Sequence, residues 1–162
     1  MTDPVTGVAR EHAIDVLRLE VDVRDEYAHW ARVATRWNDN DVYGHVNNTV
    51  HYAAMDTVIN GWMIERGVLD IHGGDSIGLC VESGCRYLAA VEYPDALAVG
   101  LRIAKLGTSS VTWEAGLVRD RDDLPVAEGR FVHVFVDRVS RRPRPIDDAM
   151  RAAMAELVVG TS

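Results

Sequence analysis

The decisive stretch of this sequence is Arg36-Trp37-Asn38-Asp39-Asn40-Asp41-Val42-Tyr43-Gly44-His45-Val46-Asn47-Asn48. It is a polar loop in which two carboxylates, one residue apart, precede a glycine. Asn47 or Asn48 is of the residue type that caps the start of a helix. Because a helix N-terminus attracts negative charge, the loop places a base beside an anion site. This suits attack on a carbonyl, although an Asx-rich capping turn has the same spacing.

A long apolar helix is predicted after the loop, ending near Arg66 and before Gly67. One stripe at helical spacing consists of Tyr52, Met55, Ile59 and Trp62. Further apolar residues widen this surface, so the helix is expected to be buried on most sides. Asp56 is an acidic residue on this helix, and a buried charge is costly without a partner. A structural pairing and a supporting catalytic role both remain open for it.

Alternating segments surround this helix in the sequence and predict strands. One precedes the loop, and four follow the helix: 27–37, 76–89, 96–105, 109–119 and 126–137. The last is apolar on both faces, which is typical of an interior strand, and a short helix that starts near 145–148 follows it. The order predicts an α+β fold, with a curved antiparallel sheet of about five strands around one helix. Such a sheet leaves an open edge, so a dimer or tetramer is expected.

Composition limits the classes of function. The 162 residues fit a polar lead-in, 1–25, followed by one domain, 26–162. A net charge of -8 argues against a nucleic-acid binder. No apolar run is long enough to span a membrane and no signal peptide is evident, so a cytoplasmic location is expected. Cys80 and Cys85 have an odd separation, which predicts opposite strand faces and no disulfide between them.

The motif Asp39-Asn40-Asp41-Val42-Tyr43-Gly44-His45-Val46-Asn47-Asn48 resembles the D-x-D-x-x-G-H-V-N-N signature of hot-dog-fold acyl-CoA thioesterases. The 4-hydroxybenzoyl-CoA thioesterase-like branch is the most similar. The resemblance extends over roughly residues 27–148. Weaker matches are Arg86-Tyr87-Leu88 with Tyr93-Pro94-Asp95, the turn Lys105-Leu106-Gly107-Thr108-Ser109-Ser110, and Ala127-Glu128-Gly129 with Val134-Phe135-Val136-Asp137.

The resemblance implies hydrolysis of an acyl-CoA thioester at a site between two subunits. It makes Asp41 the nucleophile or general base, and it makes the backbone amides of Val46, Asn47 and Asn48 the groups that polarise the thioester carbonyl. His45 is a candidate for orienting Asp41, or for a loop hydrogen bond. Asp56 occupies the helix position that is usually Glu.

Contacts to coenzyme A are expected elsewhere in the chain. By resemblance, Ser109 and Ser110 contact its pantetheine or phosphate part. Arg141 and Arg142 belong to a basic cluster with Arg144, which is either a solvated turn or a phosphate contact. Coenzyme A is part of the substrate, and no cofactor or metal is expected. Ala89 and Ala90 replace a usual Arg-Pro pair, which weakens one phosphate contact.

Several other functions compete with this interpretation. A hot-dog protein can bind acyl-CoA as a sensor, or act as a hydratase or dehydratase. Gly74-Asp75-Ser76-Ile77-Gly78 matches the G-x-S-x-G elbow of serine hydrolases, but a strand pattern follows the serine where that motif needs a helix. A metal site would draw on His45, His51, Asp39 and Asp41.

Overall fold

The computed structural model describes residues 22–159. Most of the predicted lead-in, 1–21, lies outside the described residues. The elements are β1 (His29–Ala34), α1 (Asn48–Glu65), β2 (Ser76–Tyr87), β3 (Ala96–Leu106), β4 (Ser110–Arg119), β5 (Leu124–Asp137) and α2 (Asp148–Ala155), with single 3-10 turns at Val23–Glu26 and Trp37–Asp39. The predicted order of one strand, a helix, four strands and a short helix is therefore confirmed.

The five strands form one antiparallel sheet in the order β1-β3-β4-β5-β2. β5 lies between β4 and β2, which confirms the interior position predicted from its two apolar faces. β2 forms one edge of the sheet and is exposed along most of its 12 residues. An exposed strand of this length offers a row of unpaired backbone groups.

The core lies between α1 and the inner face of the sheet. β3 and β4 each send four fully buried side chains towards it: Leu97, Val99, Leu101 and Ile103, then Val111, Trp113, Ala115 and Leu117. From α1 come Met55, Ile59, Trp62 and Met63. Each large apolar side chain contributes about 1.5–3 kcal/mol through its removal from water. One apolar helix packed on a five-stranded antiparallel sheet is the α+β, hot-dog arrangement that was predicted.

The outward side of α1 is a narrow exposed stripe. Between Val50 and Met63 the exposed residues are Ala53, Asp56 and Thr57 and the others are buried or half-buried, which agrees with the predicted burial on most sides. Within residues 22–159 no second layer covers this stripe. Asp56 is consequently not a buried charge, and its carboxylate accepts a hydrogen bond from the Asn60 amide at 3.1 Å.

The cysteine prediction is half right. Both cysteines are free, but they point to the same face of β2 rather than to opposite faces. Cys80 is paired with His133 and Cys85 with Gly129, and these two β5 residues share a face. The register shifts between Cys80 and Glu82, and this bulge adds one residue that reverses the alternation.

None of the helices within residues 22–159 is long and apolar enough to cross a membrane.

Candidate functional site

Asp39 anchors the loop that carries the motif. Its side chain is 4% exposed, and the Arg36 guanidinium donates two hydrogen bonds to one of its oxygens at 3.0 and 2.8 Å. The Arg36 backbone N–H donates to the other oxygen at 2.7 Å. Burial acts to raise the pKa of Asp39, but the hydrogen bonds and charge of Arg36 outweigh it and hold the pKa below its usual value. The first carboxylate of the motif is therefore a structural anion.

Asp41 is held differently, and its carboxylate is only half-buried. One oxygen accepts the Tyr43 backbone N–H at 2.9 Å. Its own backbone closes the loop, because its N–H donates to the His45 carbonyl at 2.9 Å and its carbonyl accepts the Gly44 N–H at 3.1 Å. Gly44 has a φ of +87°, which favours glycine at this tight turn. The second carboxylate thus faces solvent from a rigid turn.

The N-terminus of α1 corrects part of the predicted oxyanion site. Val46 donates its N–H to the Val91 carbonyl at 2.7 Å, and Asn47 donates its N–H to the Asp39 carbonyl at 2.8 Å. The prediction of oxyanion donors is wrong for these two amides, because one already bonds to the connection after β2 and the other to the motif loop itself. The side chain of Asn47 caps the helix by accepting the Thr49 N–H at 2.9 Å. The Asn48 N–H has no acceptor within residues 22–159, and it is the remaining donor.

Two residues beside the helix start were not among the predicted catalytic residues. Tyr87 donates its hydroxyl to the Asn48 carbonyl at 3.3 Å, and its ring lies edge-on to His51 at 5.3 Å. His51 is buried, and burial lowers its pKa although its contacts to the Asn47 and Asn48 backbone act to raise it. No local pattern in the sequence links these residues, because the antiparallel sheet brings β2 back to α1.

The structure does not bring His45 together with the other candidate metal ligands. The His45 side chain is exposed, and only its backbone carbonyl contacts Asp41. Asp39 is occupied by Arg36, and His51 is packed against Tyr87. The described residues contain no cluster of three or more metal-ligating side chains.

Asp56 lies apart from Asp41 in this chain. It is eight residues beyond Asn48, so it is about 12 Å along the helix axis from the first helical residue. The two carboxylates are not brought together within one subunit.

The predicted coenzyme A contacts lie at the opposite end of the sheet from Asp41. The motif loop touches Val91, in the connection that follows β2. Ser109 and Ser110 instead lie at the start of β4, where the Ser109 carbonyl accepts the Phe135 N–H. Arg141 and Arg142 are exposed in the turn after β5, next to the beginning of β2. Along β2, the Arg141–Arg142 turn is separated from the Tyr87 end by roughly 35 Å, and Ser110, which lies level with Leu79, by roughly 25 Å.

Ser76 opens β2 and is not followed by a helix, so it lacks the geometry of a nucleophile elbow. We expect Ser76→Ala to retain most of any thioesterase activity, since a serine that opens a strand is not presented as the nucleophile of such an elbow. Rates of thiol release for the two proteins test this. A loss of a thousandfold or more with an unchanged circular dichroism spectrum would make Ser76 the nucleophile.

Known proteins resemble this chain in sequence and in fold. The family model of the thioesterase-like superfamily matches residues 35–154. The PA5185 protein of Pseudomonas aeruginosa is 49% identical, with 86% of this chain and 97% of that chain covered and a TM-score of 0.82. PA2801 from Pseudomonas aeruginosa, a candidate thioesterase, is 32% identical, with 79% of this chain and 98% of that chain covered and a TM-score of 0.74.

A more distant structure shares the fold. Slr0204, a 1,4-dihydroxy-2-naphthoyl-CoA thioesterase from Synechocystis, is 17% identical, with 79% of this chain and 96% of that chain covered and a TM-score of 0.72. No curated protein matches the chain significantly.

Proposed function

Because the chain belongs to the thioesterase-like superfamily, we propose that it hydrolyses an acyl-CoA thioester to the free acid and coenzyme A. The observation that carries the proposal is the placement of Asp41. Its half-buried carboxylate is fixed on a rigid turn immediately before the capped N-terminus of α1. A carboxylate and a free helix amide can serve as the base or nucleophile and as the oxyanion donor of thioester hydrolysis.

Asp41 supplies the negative oxygen in this scheme. As a general base, it takes a proton from water while the water oxygen attacks the thioester carbon. As a nucleophile, it attacks that carbon itself, and water then cleaves the resulting anhydride. In both routes the carbon–sulfur bond breaks, and coenzyme A leaves as a thiolate that takes up a proton. Coenzyme A enters as part of the substrate, and the scheme draws on no further cofactor.

Asn48 is the proposed donor to the developing oxyanion. Its N–H is in the first turn of α1, where the helix dipole also favours negative charge. Asn47 and Tyr87 hold this turn from two sides, through the cap and through the Asn48 carbonyl. A donor held in place before the reaction begins stabilises the transition state without reorganising.

A complete site would need two subunits. If two chains pair their β2 edges about a two-fold axis near the middle of the strand, Tyr87 of one chain lies beside Ser76 of the other. The motif loop of one chain then meets the partner's turn that contains Arg141 and Arg142. This arrangement would unite the two groups that one chain separates. Exposed apolar side chains on β2 and on the motif loop support a covering partner: Val81, Leu79, Val42 and Tyr43.

Truncated substrates test the coenzyme A part of the proposal. We expect thiol release from acyl-CoA to have a kcat/KM at least tenfold above that for the same acyl-pantetheine, because the pantetheine lacks the nucleotide phosphates. A panel of acyl groups should be offered in both forms. Equal values for the two forms would contradict recognition of coenzyme A. Tight acyl-CoA binding without thiol release would favour the sensor function.

A further inference from the structure

A cleft opens between the exposed side of α1 and the inward-facing side chains of β2. Its α1 side carries Ala53 and Asp56, both exposed. Its β2 side carries the residues that pair with inward-facing positions of β5: Cys80, Ser83 and Cys85. The opposite side of α1 is filled by the buried core. We refer to the space between these two walls as the α1–β2 cleft.

The α1–β2 cleft begins at the proposed reaction centre. Tyr87, the last residue of β2, donates to the Asn48 carbonyl, and Asn48 is the first residue of α1. An acyl group whose carbonyl oxygen meets the Asn48 N–H has the core on one side of α1 and this cleft on the other. Since the core side is fully packed, the cleft is the side of α1 that is open to the acyl group.

His133 lies at the floor of the cleft. It is the β5 partner of Cys80, it is 4% exposed, and its ring lies 6.4 Å from the rings of both Trp113 and Phe131. Tyr52 contacts Phe131, and Asp56 follows Tyr52 by one turn on the same side of α1. The charge of Asp56 acts on His133, where it opposes the lowering of the His133 pKa by burial. The contacts of Phe131 with Tyr52 and with His133 therefore place Asp56 on the side of α1 that faces His133.

His133 lowers the stability of the fold at this position. Its Nδ1 and the Trp113 Nε1 are buried, and neither has a hydrogen-bond partner within residues 22–159. A buried polar group without a partner costs about 1–3 kcal/mol, a cost that phenylalanine would not incur. Unpaired polar groups in an otherwise apolar core are typical of places where polar chemistry is used.

We propose that His133 is a specificity-determining residue, which selects acyl groups that carry a hydrogen-bonding substituent over plain alkyl chains. This inference rests on the proposed function, since it places the acyl group of that substrate in the α1–β2 cleft. Asp56 and Ser83 line the path to His133. An alkyl chain reaching this point would leave the imidazole unpaired, whereas a hydroxyl would pair with it.

The test uses matched acyl-CoAs with and without a terminal hydroxyl, at chain lengths of six, eight and ten carbons. At one of these lengths we expect the hydroxylated substrate to be preferred at least tenfold in kcat/KM, in proportion to the cost of an unpaired buried group. In His133→Phe the preference should fall below about threefold, while Tm stays the same or rises. His133→Gln, which keeps a hydrogen-bonding group, should retain part of the preference. His72→Phe, an exposed histidine outside the cleft, is the control and should retain all of it.

Binding separates this inference from the proposed function. Calorimetry of the same pairs on the Asp41→Asn protein measures selectivity without turnover. A wild type that hydrolyses none of the substrates overturns the proposed function. In that case the difference in affinity between hydroxylated and plain acyl-CoAs, measured by calorimetry, decides the inference on His133 alone. No preference at any length, or an undiminished preference in His133→Phe, overturns it.

Discussion

Asp41→Asn is expected to lower kcat by on the order of 10²–10⁴, the usual contribution of a positioned base. Asparagine is nearly isosteric, and its side-chain oxygen can still accept the Tyr43 N–H that fixes the turn. It cannot take a proton from water or attack a carbonyl as a carboxylate does. KM should change much less, because the coenzyme A part is bound by other groups. Steady-state rates of thiol release for the two proteins measure both quantities.

The choice of control follows from the structure. Asp39→Asn shares the loop but removes the charge that binds Arg36, so it should disturb the loop itself. Asp25→Asn makes the same chemical change in the 3-10 turn before β1, away from the motif loop, and should leave kcat unchanged. If Asp41→Asn keeps wild-type kcat while the wild type hydrolyses acyl-CoA, the base lies elsewhere and Asp56 becomes the candidate.

The second large effect is expected from a mixed dimer. One chain carries Asp41→Asn, and the other carries Arg141→Ala with Arg142→Ala. In a two-subunit site, the intact Asp41 of the second chain faces the intact arginines of the first. Co-expression with two different tags and purification through both gives the heterodimer. Because one of its two sites is intact, it should have about half of the wild-type activity.

The parent homodimers set the baseline for this experiment. The Asp41→Asn parent should be nearly inactive, and the arginine parent should have a KM raised about tenfold or more through the loss of charged hydrogen bonds. At low substrate concentration both parent homodimers should therefore have low activity. Light scattering should give at least twice the mass of one chain for each. Activity in the heterodimer no higher than the mean of its parents would place each site within one subunit.

The helices and strands could be predicted because their signals are local. Alternation and helical spacing located each element to within a few residues, and Asn47 was recognisable as a cap. The first strand is shorter than predicted, since it ends at Ala34 and leaves Trp37 exposed. The bulge in β2 could not be predicted from the alternation of residue types. One added residue puts Cys80 and Cys85 on the same face of the strand, and no residue type marks the position.

The candidate site was predictable only in part, because its contacts join distant parts of the sequence. The motif indicated Asp41, but only the fold shows that Val46 and Asn47 use their amides to hold the loop. Spacing could not show that Tyr87 returns to the start of α1. It also could not show that Ser109 and Arg141 lie at the far end of the sheet from Asp41, since that depends on strand order.

The most direct test of the central claim is the amount of thiol that the purified wild-type protein releases from excess acyl-CoA. We predict that each chain releases many thiols, at a rate proportional to protein concentration, and that the rate is at least a hundredfold lower in Asp41→Asn. Tight binding of acyl-CoA with no more than one thiol released per chain would contradict this prediction. The chain would then be a binding protein with the fold of a thioesterase.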